Sequence, residues 1–173
     1  IGAADTAGVG AANTTIEHHD TVEAFVGERV TVTTAGASGL SITATSREDL
    51  MTIAASGGFA DTAGIAGAAV VNDLHETTLA FISRSAIVTA QSPVGNPGIS
   101  LEASDYTDIV SVAGSLAGAG TAAVGLGADI GLISKKTEAF IDSNVTVHAD
   151  GDIEVDARST EDITSVAAGL AAS

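Results

Sequence analysis

The chain has 173 residues, with 22 acidic side chains against six basic ones and a formal charge of −16 at neutral pH. That balance excludes nucleic acid as a partner, because phosphate-backbone binding needs a basic face. Cysteine is absent, so disulfides and thiolate metal sites are excluded too, while a mean hydropathy of +0.37 calls for an apolar interior under a carboxylate coat.

In chain order, the first segment is a glycine/alanine tract, Gly8-Val-Gly-Ala-Ala-Asn. Glycine recurs too often there for a helix, so strands or tight turns are expected. A strand with Thr21-Val-Glu-Ala-Phe-Val follows and leads into Val30-Thr-Val-Thr, whose alternation sends Val30 and Val32 inward and Thr31 and Thr33 outward. Next comes Gly39-Leu-Ser-Ile-Thr-Ala-Thr, with Leu40 and Ile42 inward, and then a third strand, Asp49-Leu-Met-Thr-Ile-Ala-Ala. A second glycine/alanine tract runs from Ala60 to Val71.

The same set then recurs twice. Thr77-Thr-Leu-Ala-Phe-Ile, Gly98-Ile-Ser-Leu-Glu-Ala-Ser and Asp108-Ile-Val-Ser-Val-Ala-Gly form one copy; Lys136-Thr-Glu-Ala-Phe-Ile, Asp152-Ile-Glu-Val-Asp-Ala-Arg and Asp162-Ile-Thr-Ser-Val-Ala-Ala form the other. Phe25, Phe81 and Phe140 hold one place in each copy, 56 and then 59 residues apart. A period of this size marks stacked repeats. Residues 1–56, 57–115 and 116–169 are the three repeats, and 170–173 open another. Ile1 aligns with Gly57 and Ser173 with Ala60, so the chain reads as a window on a longer array. Length differences fall between the first and second strands, where Ser92-Pro-Val-Gly-Asn-Pro-Gly is expected to protrude.

The expected fold is all-β: an elongated parallel β-solenoid, one continuous stack without separate domains. Each period holds about five short strands, roughly two coils' worth, with the phenylalanines as an internal stripe and neighbouring coils about 4.8 Å apart. The competing arrangement alternates helix and strand, with the glycine/alanine tract as a small-residue helix. Ile109 to Ala128 is 20 residues without a charge, yet its Ala/Gly character is weak for insertion and its counterparts carry Asp5 and Asp61, so no membrane span is expected.

The succession Glu138-Ala-Phe-Ile, Val145-Thr-Val, a Gly151-Asp turn, Ile153-Glu-Val-Asp-Ala and a glycine/alanine run resembles the repeats of very large bacterial filamentous adhesins and haemagglutinin-like exoproteins. The resemblance covers the whole chain, with Pro93 and Pro97 as departures in the middle repeat. It implies an extracellular or bacterial cell-surface fibre, stalk or sheath serving adhesion or biofilm matrix formation. The implied partners are further copies of itself and host-cell, neighbouring-cell or glycan surfaces. It supplies no catalytic motif.

Candidate chemistry is sparse. Asp150 and Asp152 flank Gly151 in an acidic turn, and Asp49, Asp108 and Asp162 recur before the third strand of each repeat. Calcium is the cation such oxygen-rich turns take outside a cell, against a plain reading of solvated acidic edges with Asp as a turn residue. His19 and His75 occupy equivalent places with Asp20 and Glu76 after them, but the third copy has Ser134 and Lys135; surface turn residues are the expectation. The glycine patterns recur once per repeat, as packing glycines would, and do not make a dinucleotide fingerprint. No catalytic residue and no enzyme activity is expected, since Arg29, Arg47, Arg84, Arg158, Lys135 and Lys136 are scattered over different repeat positions. The alternative is a β-helical polysaccharide-acting enzyme or carbohydrate-binding module.

Overall fold

A computed structural model describes residues 1–36, 39–91 and 97–173, and every regular element among them is a strand. The strands are β1 (Gly2–Ala4), β2 (Ala7–Val26), β3 (Thr31–Ala35), β4 (Leu40–Ala60), β5 (Ala63–Ile82), β6 (Ile87–Gln91), β7 (Pro97–Ala119), β8 (Ala122–Ile141), β9 (Thr146–Ala149) and β10 (Asp152–Ala172). They form three parallel sheets, β1-β4-β7-β10, β2-β5-β8 and β3-β6-β9. Each strand pairs with its counterpart one repeat away, as in Phe25 with Phe81 and Phe81 with Phe140. The chain is a parallel β-solenoid.

One repeat is one coil, not two. The first coil uses strands of 20, 5 and 21 residues, so the expected five short strands are three. Strands three to four times the usual length persist because the next coil satisfies their backbone groups along their whole run. Asp49, expected to open a separate strand, is passed in extended conformation. The expected protrusion at Ser92–Asn96 lies outside the described residues.

The cross-section is a wedge. The two long sheets face each other and meet at one edge through the two-residue bends Asp5-Thr6, Asp61-Thr62 and Gly120-Thr121. The short sheet holds them apart at the other edge, where Val26, Ile42, Ile82, Val88, Ile99 and Leu101 fill the space. Towards the bends there is no such space. A Cβ on Gly10 would stand 1.9 Å from the carbonyl oxygen of Gly57, and one on Gly58 would stand 2.0 Å from that of Ile65. Proximity of the facing backbone compels glycine here, and this is why the glycine/alanine tract is strand rather than helix.

At about 3.3 Å per residue, a 20-residue strand spans roughly 66 Å, whereas the first and third coils are only about 10 Å apart. The three coils therefore make a plate whose long dimension lies across the stacking axis. Among the described residues, no helix is long and apolar enough to cross a membrane. Ile109 to Ala128 runs instead from β7 through the Gly120-Thr121 bend into β8.

Two details of the ladders follow from the alternation. Val22, Ala24 and Val26 point inward, so Phe25 points out, and the expected internal stripe is an external one. The rings stack at 5.1 and 5.0 Å, and Phe25 is 56% exposed. Between β2 and β3 and at the two equivalent turns, Arg29, Ser85 and Asn144 all adopt left-handed backbone, with φ of 58°, 60° and 57°. A turn peptide binds its counterpart one coil on, as in Ser83 N–H to Val26 O and Asp142 N–H to Ile82 O.

Candidate functional site

Period-2 alternation carries whatever residue it meets into the wedge, including charged ones. Halfway along the long strands, the ladder Asp20–Glu76–Lys135 on one sheet faces the ladders Glu48–Thr107–Glu161 and Ser46–Asp105–Ser159 on the other. The middle coil is covered on both sides, and its Glu76 and Asp105 side chains are 1% and 0% exposed. Lys135, 9% exposed, ties the layer together: its Nζ donates to Thr107 Oγ1 at 2.6 Å, lies 3.2 Å from Glu76 Oε2 and contacts Asp105 directly. Thr107 donates to Glu76 Oε2 at 2.9 Å, and Thr78 to Asp105 at 3.3 Å.

Burial pulls the Lys135 ammonium down, but the hydrogen bond and charge of Asp105, then of Glu76, outweigh it and hold the group above its ordinary value. Glu161 is held below its ordinary value, first by the Ser159 hydroxyl and, against some burial, by Lys135. Glu76 Oε1 remains buried without a partner.

On the axial face of the first coil, His18 and Asp20 of β2 approach Glu48 of β4, all three half-buried, with donor atoms within 4.8 Å of one another. His18 Nε2 stands 3.2 Å from Glu48 Oε1, yet the contact is misaligned for an N–H donor and the nitrogen has no hydrogen-bond partner. A second polar layer lies nearer the bends. Asp129 accepts from Ser111 and Ser165, and Asn72 donates to Thr52 at 3.1 Å. A cavity of about 240 Å³ opens there beside Asn72 and Gly131, where glycine takes the place that Ile16 and Asn72 hold in the other coils.

The acidic residues singled out in the sequence lie elsewhere. Asp49, Asp108 and Asp162 do form a ladder, on the outer face of β4-β7-β10, but in mid-strand rather than opening a strand. Arg47 grips Asp49 with two hydrogen bonds of 2.8 and 2.9 Å, which raise the guanidinium above its ordinary value, and it lies 4.5 Å from the Tyr106 ring centroid. Asp150 and Asp152 sit at the turn entering β10, with Asp150 3.6 Å from His148. Ten residues of strand, roughly 33 Å, separate Asp152 from Asp162, so the two sets do not share a site.

His19 and His75 stack at 4.7 Å on the outer face, on strands rather than in a turn. The residues missed from sequence are His18, Glu48, Asp105 and the partnership of Lys135; Asp20 and Glu76 were noted, but beside the outward His19 and His75. The signal was there: Glu76 and Lys135 share inward parity with Ala80 and Ala139. No protein-family model, curated protein or solved structure matches the chain.

Proposed function

We propose that the chain is a structural repeat element of a bacterial surface-attached or secreted fibre, stalk or sheath that serves adhesion or matrix formation. The observation that carries this reading is coil-on-coil registry across the full width of the wedge, with like residues stacked on like. Such arrays act through extent and surface rather than through one distinguished coil. The Lys135–carboxylate cluster, the kind of group a polysaccharide-cleaving site needs, is enclosed between the sheets. The resemblance to filamentous adhesin repeats supplies the location. Self-association and contact with cell or glycan surfaces are the partners it entails.

Electron microscopy and fibre diffraction of the purified protein, with adhesion of coated beads to cells, test this. Fibres with a repeat of about 4.8 Å along their axis and bead adhesion are expected. Dispersed particles that cleave or specifically bind a polysaccharide would replace it with the enzyme or carbohydrate-binding alternative.

A further inference from the structure

We propose that His18, Asp20 and Glu48 form a divalent transition-metal site, suited to Zn²⁺, that clips the two long sheets together at the axial face of the first coil. His18 and Asp20 are two apart on β2, so both side chains point into the wedge, and Glu48 reaches them from β4. One pair already has the spacing of two ligands on an ion. Two ligands about 2.1 Å from a tetrahedral metal stand about 3.4 Å from each other. His18 Nε2 and Glu48 Oε1 are 3.2 Å apart without the alignment of a hydrogen bond. That is the disposition of a nitrogen lone pair and a carboxylate oxygen converging on one point.

A second observation concerns charge. Glu76 is the residue stacked on Asp20, it is 1% exposed, and its Oε1 has no partner. Its other oxygen is already taken by Thr107 of the same coil and Lys135 of the third coil. Five carboxylates in this layer (Asp20, Glu48, Glu76, Asp105, Glu161) face one ammonium, Lys135, and a buried carboxylate without counter-charge is costly. A divalent cation beside Asp20 supplies what is lacking. The imidazole decides its type, because nitrogen ligands select zinc and its neighbours over calcium, which takes oxygen. The three ligands are half-buried.

Calorimetric titration of the purified chain with zinc or calcium, with chelator competition, tests the site. We expect one saturable Zn²⁺ per chain, no matching calcium site at these residues, and a rise in unfolding temperature with zinc. His18→Gln and Glu48→Gln should each weaken zinc by about tenfold or more and abolish the thermal shift. Changing the outward pair, His19→Gln with His75→Gln, should leave both unchanged. Circular dichroism checks that the variants keep their strands. In the unaltered chain, the zinc-induced shift of histidine ring ¹⁵N resonances should fall on His18 Nε2. Absence of saturable zinc binding, binding lost in the His19/His75 variant but kept in His18→Gln, or ¹⁵N shifts confined to other histidines would overturn the proposal.

Discussion

Lys135 and Lys136 are neighbours in sequence with opposite fates, 9% and 54% exposed. Parity alone separates them. Lys136 pairs with Glu138 on the outer face at 3.1 Å, and an exposed pair of this kind contributes about 0–1 kcal/mol. Lys135 is the counter-charge of a buried layer. Lys135→Met should cost about 3–5 kcal/mol in urea unfolding at neutral pH, because it strands the Asp105 and Glu76 carboxylates, whereas Lys136→Met should be nearly silent. The pH dependence has a definite sign. A raised lysine stabilises fully below its unfolded-state value, and this is lost as pH rises through the folded one; a lowered glutamate stabilises above its unfolded-state value, and this is lost as pH falls through the folded one. Stability from this layer is therefore greatest between the acid limb set by Glu161 and the alkaline limb set by Lys135. Melting curves of the unaltered protein and Lys135→Met across pH should converge on the alkaline side. Ser85 offers a gain instead: asparagine tolerates its left-handed backbone better, as Asn144 does at the equivalent turn, so Ser85→Asn should add up to about 1 kcal/mol.

At the scale of elements, the wedge assigns each glycine a different tolerance. Gly58→Ala drives a methyl group into the carbonyl of Ile65 and should cost about 1–3 kcal/mol or more in thermal unfolding. Gly67 points away from the facing sheet into open space, and Gly67→Ala should be neutral or stabilising by about 0.5–1 kcal/mol. Inward Val32, Leu40 and Ile42 were legible in the sequence from the alternation of apolar with threonine and serine residues, whereas Val30, expected inward beside them, precedes β3 and is 42% exposed. The fusion of short strands was not. Asp49 resembles a strand opener, and only the neighbouring coil, which supplies its ladder partner Asp108, makes an aspartate in mid-strand tolerable. The phenylalanine ladder was legible as a ladder but not as an outer one, since its side depends on which parity the wedge can hold. The interior ionic layer stayed hidden for the same reason: a charged residue in a threonine-rich strand looks like surface until the facing sheet is in place.

At the scale of the whole molecule, a formal charge of −16 on three coils repels other copies out to about a Debye length, roughly 8 Å at physiological salt. Lateral packing of such plates needs counter-charge. Calcium is the expected counter-ion for the outer carboxylates, and bundle formation with chelator, calcium, or sodium chloride of matched ionic strength measures whether it acts specifically. Equal behaviour of calcium and matched sodium would mean that the outer carboxylates only keep the plates soluble. All of this rests on each repeat being one coil. The absence of cysteine permits a direct check with Thr45→Cys and Ser104→Cys, which are outward partners on β4 and β7. One-coil stacking puts their Cα atoms about 4.8 Å apart, inside the range of a disulfide. Two coils per repeat would separate them by about 9.6 Å, beyond it. Thr43→Cys with Ser104→Cys, a diagonal pair about 8 Å apart, is the control. Mild oxidation should form an intramolecular disulfide in the in-register pair and not in the diagonal one. No disulfide in the in-register pair, or faster closure of the diagonal pair, would contradict the one-coil stack.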